Sequence, residues 1–199
     1  MIAGVSIREK RIPEVVSIGV KDSKMLSARQ RTRLAAEIRK IAQDISTVEL
    51  QPKEIDGFVI DGRKLRKLNY LEATAMATVI GRLNPTVAYV DSSDVLPKRY
   101  ATDIQSHLPR RIKIVSEHHA DRKYPVVSAA SIIAKVTRDQ RIDELAAKYG
   151  SFGSGYPSDD QTIRFLREWM ASHGSFPAFV RKSWKTIARL EQEPGQTKL

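Results

Sequence analysis

Apolar and polar positions follow one another along this chain in two rhythms, and the rhythms alternate. The run Ile2-Ala3-Gly4-Val5-Ser6-Ile7 reads as a buried strand, and Val15–Val20 as a further one. The polar stretch Lys21-Asp22-Ser23-Lys24 is turn-like. Ser27 then has the character of a helix N-cap. Leu34, Ile38, Ile41 and Ile45 recur after it at helical spacing, and Ser46–Leu50 is a short strand. Residues 64–83 give the clearest helix, with Leu65, Leu68, Leu71, Ala75, Val79 and Leu83 on one face, closed by Asn84-Pro85. Thr86–Val90 is β-rich and runs into Asp91, and a helix is expected after Pro97. Ile112–Val115 predicts the next strand, leading into Ser116-Glu117-His118-His119-Ala120-Asp121. Residues 126–148 form a long helix that begins with small residues. A glycine-rich loop, Gly150–Pro157, divides the chain. Beyond it lie a helix over 158–172 that buries Phe165, Leu166, Trp169 and Met170, a basic segment from Arg181 to Arg189, and a polar, frayed tail. There is no internal repeat.

Helices set between strands predict an α/β layer fold with a sheet covered by helices, a class that hosts many activities. The 199 residues are enough for one medium domain, or one domain with a small appendage. Hydrophobic residues at 41% and charged residues at 29% exclude disorder, collagen and coiled coil for the whole chain. The absence of cysteine excludes disulfide scaffolds, zinc–thiolate sites and thiol catalysis. Charge changes the picture most. The net +11 favours a polyanionic partner, nucleic acid before acidic membrane. No apolar stretch is long enough to cross a bilayer and no cleavable leader precedes the first strand, so a cytoplasmic location is expected.

In open α/β sheets, sites lie beyond the carboxyl ends of strands. Asp91 follows a strand directly, and Asp121 follows the 112–115 strand at a short remove. Two carboxylates brought together there repel each other, and a hard divalent ion would relieve the repulsion. The structural alternative is that Asp91 caps a turn and Asp121 caps the following helix. Asp94 and Asp22 are weaker candidates on the same grounds. Lys21, Lys24, Lys135 and Arg138 suit phosphate neutralisation, or else form a solvated face. His118 and His119 are adjacent, point in different directions and make poor partners for one metal. Tyr156, between Gly155 and Pro157, either stacks on a sugar or base or packs against the C-terminal helix. Neither a phosphate-binding loop nor a dinucleotide fingerprint is present, and no Ser-His-Asp triad can be argued from spacing.

Longer strings carry more. Gly19-Val20-Lys21-Asp22-Ser23-Lys24 and Lys67-Leu68-Asn69-Tyr70-Leu71-Glu72-Ala73 resemble blocks of the type 2 ribonucleases H (ribonuclease HII). So do Tyr89-Val90-Asp91-Ser92-Ser93-Asp94-Val95 and the unbroken stretch from His118 to Asp139. Gly153-Ser154-Gly155-Tyr156-Pro157-Ser158-Asp159 and Val180-Arg181-Lys182-Ser183-Trp184-Lys185 complete the set. The blocks run in family order, in the manner of the archaeal branch. The resemblance implies a ribonuclease H-like mixed sheet flanked by helices over residues 1–149, and a small C-terminal helical extension over 150–199. It implies a hydrolase that cleaves the RNA strand of RNA–DNA hybrids and incises DNA at embedded ribonucleotides, a task of DNA replication and repair. It also implies four carboxylates holding two Mg²⁺ or Mn²⁺ ions; such pairs lie about 3.5–4 Å apart. Asp91 matches the third carboxylate, Asp121 the fourth, and Tyr156 the tyrosine at the RNA–DNA junction. Lys24, Lys135 and Arg138 are the expected substrate-binding cations. A monomer is expected, and the tail 192–199 lacks the aromatic pair of a sliding-clamp peptide.

The sequence departs from the family at one place. The family's first, central strand carries Gly-Ile-Asp-Glu-Ala-Gly-Arg-Gly and supplies the first two carboxylates; this motif does not occur here. Ile2-Ala3-Gly4-Val5 resembles the strand that follows it. The chain as written is therefore expected to fold poorly, with neighbouring strand edges unpaired, and to hydrolyse its substrate with severely reduced efficiency. The alternative is a non-catalytic domain that binds RNA–DNA hybrids.

Overall fold

The computed structural model describes residues 1–20, 23–60 and 67–192. In chain order these form β1 (Ile2–Ser6), α1 (Ile12–Ser17), α2 (Ala28–Ile41), β2 (Asp44–Val48), α3 (Pro52–Ile60), α4 (Lys67–Leu83), β3 (Val87–Asp91), α5 (Pro97–Ser106), β4 (Lys113–Glu117), α6 (Ala120–Lys123), α7 (Pro125–Tyr149), α8 (Asp160–His173) and α9 (Lys185–Gln192). Two compact units divide the described residues: 1–50 with 67–139, and 51–60 with 140–192.

In the first unit the α/β alternation holds, but the strands form two ladders. β1 pairs antiparallel with β2, Gly4 opposite Ser46, and β3 pairs parallel with β4, Asp91 opposite Glu117. Among the described residues no ladder joins β1 to β3, so the expected single mixed sheet is split in two. Helix α4 is common to both. Its Ala73, Ala77 and Ile80 pack with Ala88 and Val90 of β3 and with Tyr100, Ile104 and Ile112. Further along, Val79 and Leu83 lie so close to Gly4 of β1 that a Cβ there would come within 2.5 Å of the Val79 Cγ1 and 2.8 Å of the Leu83 Cδ1. Glycine at position 4 is what lets the helix approach. The opposite face of β1 buries Ala3 and Val5 with Leu34, Ala35, Ile38 and Ile41 of α2 and Ala129, Ile132, Ile133 and Val136 of α7.

Local signals explain most boundaries. Ser27 caps α2 in a reciprocal box: its hydroxyl accepts the Gln30 amide, and the Gln30 side chain accepts the Ser27 amide at 2.8 Å. Leu34, Ile38 and Ile41 are buried as the spacing predicts, whereas Ile45 falls on β2. The run Val15–Val20 is not a strand. Pro13 sits in the first turn of α1, Arg11 grips Glu14 through two bonds of 2.8 Å, and Gly19 at φ 82° ends the element, so a helical turn forms. Lys21, Asp22 and Leu65 lie outside the described residues; Ser23–Met25 is a short 3₁₀ turn.

The second unit has its own core of Leu166, Phe176, Val180, Ile187 and Leu190, with Phe165, Met170 and Trp184 packed against it. Tyr149, Trp169, Phe179, Phe152 and Phe165 form a chain of ring contacts. Helix α3, which the sequence pattern did not reveal, is fixed here: the buried Asp56 accepts the amides of Lys182 and Ser183 at 2.8 and 2.9 Å.

Candidate active site

Parallel pairing carries β3 and β4 to the same level and aims both carboxyl ends the same way. Alternation along β3 buries Ala88 and Val90 and turns Tyr89 and Asp91 to the other face, where both are exposed. β4 leaves the ladder through His118 and His119, and His119 adopts a left-handed φ of 55° that starts α6. The Asp91 Oδ1 then accepts the Ala120 amide at 3.1 Å. This contact brings the end of β3 against the first turn of α6, whose second residue is Asp121. Asp121 is buried, and its backbone carbonyl accepts the Ser128 hydroxyl, which ties α6 to α7.

The capping alternative for Asp91 is thus realised in part: the carboxylate holds the start of the helix that bears Asp121 and still stands exposed. Among the described residues no group of three or more Asp, Glu or His side chains converges to hold a metal ion. The donors that remain suit a hard cation, because Mg²⁺ accepts one or two carboxylates and completes its shell with water and substrate phosphate. The two-ion, four-carboxylate set expected from the resemblance is not assembled by the described residues. His118 is engaged elsewhere, with its Nε2 3.2 Å from the Val95 carbonyl.

The surrounding acids have other work. Asp94 is 2% exposed and gripped by Arg99. Burial pushes its carboxyl up, but the Leu96 amide, the Arg99 guanidinium and the Asn69 side chain outweigh it and hold the carboxyl below the usual range. It is a strut for the loop after β3. Glu117, beside Asp91 in the ladder, accepts Lys123 at 2.7 and 3.0 Å and the Tyr124 hydroxyl at 2.8 Å, which keeps its carboxyl below the usual range. Beneath the site the Tyr100 phenol is pushed up to about 12, by burial first and by the charges of Glu72, Asp91 and Asp94. Glu72 is the acid that sequence reasoning passed over: it stands in the Lys67–Ala73 block, and it acts on the same phenol as Asp91.

The predicted cations are more dispersed. Lys24 is exposed on the 3₁₀ turn at Ser23–Met25. Lys135 and Arg138 lie one helical turn apart on α7, and Arg138 pairs with Asp139 at 3.3 Å. In the other unit Tyr156 is 51% exposed. The loop that displays it is pinned from α8: Asp159 accepts the Ser154 amide at 2.6 Å and the Gln161 amide at 3.0 Å, and Thr162 accepts the Gly155 amide at 3.1 Å. At Gly153, φ 74°, a Cβ would come within 2.5 Å of the Asp159 carboxylate, so the tight turn requires glycine there.

Residues 1–187 match the family model described as Ribonuclease HII. The chain belongs to the ribonuclease HII family. A ribonuclease HII of Pyrococcus abyssi is 44% identical over 193 residues, covering 97% of this chain and 84% of that protein. One from Methanoregula boonei is 46% identical over 199 residues, covering 100% of this chain and 90% of its own. Among solved structures, the ribonuclease H2 of Pyrococcus horikoshii superposes with a TM-score of 0.83 at 41% identity, covering 95% of this chain and 96% of that one. The ribonuclease HII in a complex with PCNA from Archaeoglobus fulgidus gives 0.80 at 39% identity, with 98% of both chains covered. The chain is a type 2 ribonuclease H, an endonuclease, on an α/β fold of the ribonuclease H kind. No helix among the described residues is long and apolar enough to cross a membrane.

Proposed function

We propose that this enzyme hydrolyses the RNA strand of RNA–DNA hybrids and incises duplex DNA at embedded ribonucleotides, with Asp91 and Asp121 as its catalytic carboxylates and holders of a Mg²⁺ or Mn²⁺ ion. The observation that carries the reading is the bond from the Ala120 amide to Asp91, which joins the end of β3 to the turn that bears Asp121. When bound, the ion supplies charge to offset the two carboxylates and the scissile phosphate and acidifies a water. Asp91 and Asp121 orient that ion. Tyr156 packs against the sugar at the RNA–DNA junction, and Lys24, Lys135 and Arg138 neutralise backbone phosphate. The 2′-hydroxyl is the feature that separates a ribonucleotide from its deoxy neighbours. The enzyme acts as a cytoplasmic monomer in DNA replication and repair. With two carboxylates rather than four, turnover by the 199-residue chain is low.

The test is cleavage of a labelled RNA–DNA hybrid, and of a DNA duplex with one ribonucleotide, in Mg²⁺, in Mn²⁺ and in EDTA, alongside a version carrying an Asp-Glu-Ala-Gly-Arg-Gly strand ahead of Met1. Cleavage at ribonucleotides that EDTA abolishes and the added strand raises is expected. Equal cutting of all-DNA duplex overturns the substrate reading. Turnover equal to that of the extended version overturns the low activity. Salt-sensitive hybrid binding with no cleavage in either version favours a pure binding domain.

A further inference from the structure

Beside Asp91 the same face of β3 carries a feature that hydrolysis leaves unused. Tyr89 is two residues before Asp91 and points the same way, and the residue is 41% exposed. On the buried face its neighbours Ala88 and Val90 fill the core, so Tyr89 contributes nothing there. Its ring instead rests on Tyr124, centroid to centroid 4.5 Å and tilted by 37°. Tyr124 is itself fixed. Its hydroxyl donates to Glu117 at 2.8 Å, Lys123 bridges to the same carboxylate, and the Lys123 ammonium lies 5.0 Å from the Tyr124 ring centre. Tyr124 ends α6, the helix whose first turn holds Asp121. One strand and one short helix thus carry both the supported aromatic surface and the two carboxylates.

We propose that Tyr89, backed by Tyr124, is a stacking ledge for the nucleoside next to the phosphate held at Asp91. The proposal rests on the hybrid-cleaving reading and names a substrate contact within it. Two residues along a strand span about 6.7 Å, and a nucleic-acid strand rises about 3.4 Å per nucleotide. A nucleoside on Tyr89 therefore lies within two nucleotides of the phosphate at Asp91. Aromatic rings serve this purpose because every base and sugar presents a face, so the contact holds the strand in register without reading its sequence. Tyr89 is the contact residue. Tyr124 is a positioning residue that acts through it.

The experiment measures fluorescence anisotropy of a fluorescein-labelled RNA–DNA hybrid with the full chain in Ca²⁺, over a series of salt concentrations, with thermal melts alongside. Tyr89→Leu keeps an apolar strand residue against Tyr124 but loses the ring, and its affinity is expected to fall about ten-fold, the scale of one lost stack. Tyr89→Phe restores the affinity to within about two-fold, since the ring and not the hydroxyl does the stacking. The slope of log affinity against log salt stays at the wild-type value in Tyr89→Leu, because no phosphate contact is lost. Wild-type affinity in Tyr89→Leu overturns the ledge and leaves the hybrid reading standing. So does an equal loss in both variants, or a loss that tracks a lowered melting temperature. Failure of the wild-type chain to bind the hybrid overturns both.

Discussion

Replacing Asp91 separates two jobs that one carboxylate performs. Its Oδ1 accepts the Ala120 amide at 3.1 Å and so satisfies a donor at the start of α6. Its charge is what an ion would bind. Asparagine keeps the accepting oxygen and loses the charge; alanine loses both. Loss of a capping acceptor costs about 1 kcal/mol, and in a domain of this size that is about 2–4 °C. Without added ions, Asp91→Ala should therefore melt about 2–4 °C below wild type, and Asp91→Asn close to it. An ion at ten times its dissociation constant stabilises the native state by about 1.4 kcal/mol, or about 3–6 °C. That rise is expected for wild type on adding Mg²⁺ or Mn²⁺ and should be absent from both variants, together with hybrid cleavage. Scanning calorimetry with and without the ion measures both effects on one sample. An undiminished ion-dependent rise in Asp91→Asn would refute the ligand role. A wild-type melting point in Asp91→Ala would refute the capping role.

Gly4→Ala places a methyl 2.5 Å from the Cγ1 of Val79, a fully buried and β-branched residue that cannot swing aside. A loss of about 2 kcal/mol is expected, and Val79→Ala in the same chain should recover most of it; simple additivity of the two changes in urea melts would contradict the steric reading. Asp94→Ala strands Arg99 and the Leu96 amide. Because the Arg99 side chain is 28% exposed, the cost falls at the low end for a buried pair, about 3 kcal/mol, and a shift within experimental error in denaturant midpoint counts against the strut. Asp159 is depressed to about 2, chiefly by the Ser154 hydroxyl. Its contribution is present above the unfolded carboxyl value near 4 and is lost as pH falls toward about 2. Asp159→Asn should flatten the acid limb of the stability curve between those values, and an unchanged acid limb would mean that other carboxylates set it.

Legibility in the sequence followed the range of the interactions. The Ser27 cap, the Leu34–Ile38–Ile41 face and the Asn84-Pro85 stop involve residues within a few positions of one another, and all appear where the pattern put them. Asp91 and Asp121 stood out as acids beyond strand ends, and the structure brings the two regions together. The contact that does so spans 29 positions and depends on the parallel register of β3 and β4, which no local pattern encodes. The Val15–Val20 run misled because its apolar residues alone suit either element. Pro13, Gly19 and the Arg11–Glu14 pair decide for a helix. Helix α3 escaped notice because Gly57 interrupts it and Phe58, Val59 and Ile60 are consecutive apolar residues without helical spacing. Its anchor, Asp56, meets the Lys182 amide 126 positions away. Splitting of the sheet is likewise a matter of which strands meet, not of which residues form strands.

The position of α4 has a consequence for how the first unit opens. A ladder of two strands is marginal on its own and needs a surface to lie against. Both ladders use the same helix, one through Gly4 and the other through Ala88 and Val90. When α4 lifts, both ladders lose the face it covers at once, although no strand pairing joins them among the described residues, and β1 keeps its other face on α2 and α7. In deuterium labelling, the amides at the centres of β1 and β3 therefore share one opening step, the detachment of α4, and β1 has the further protection of its core with α2 and α7.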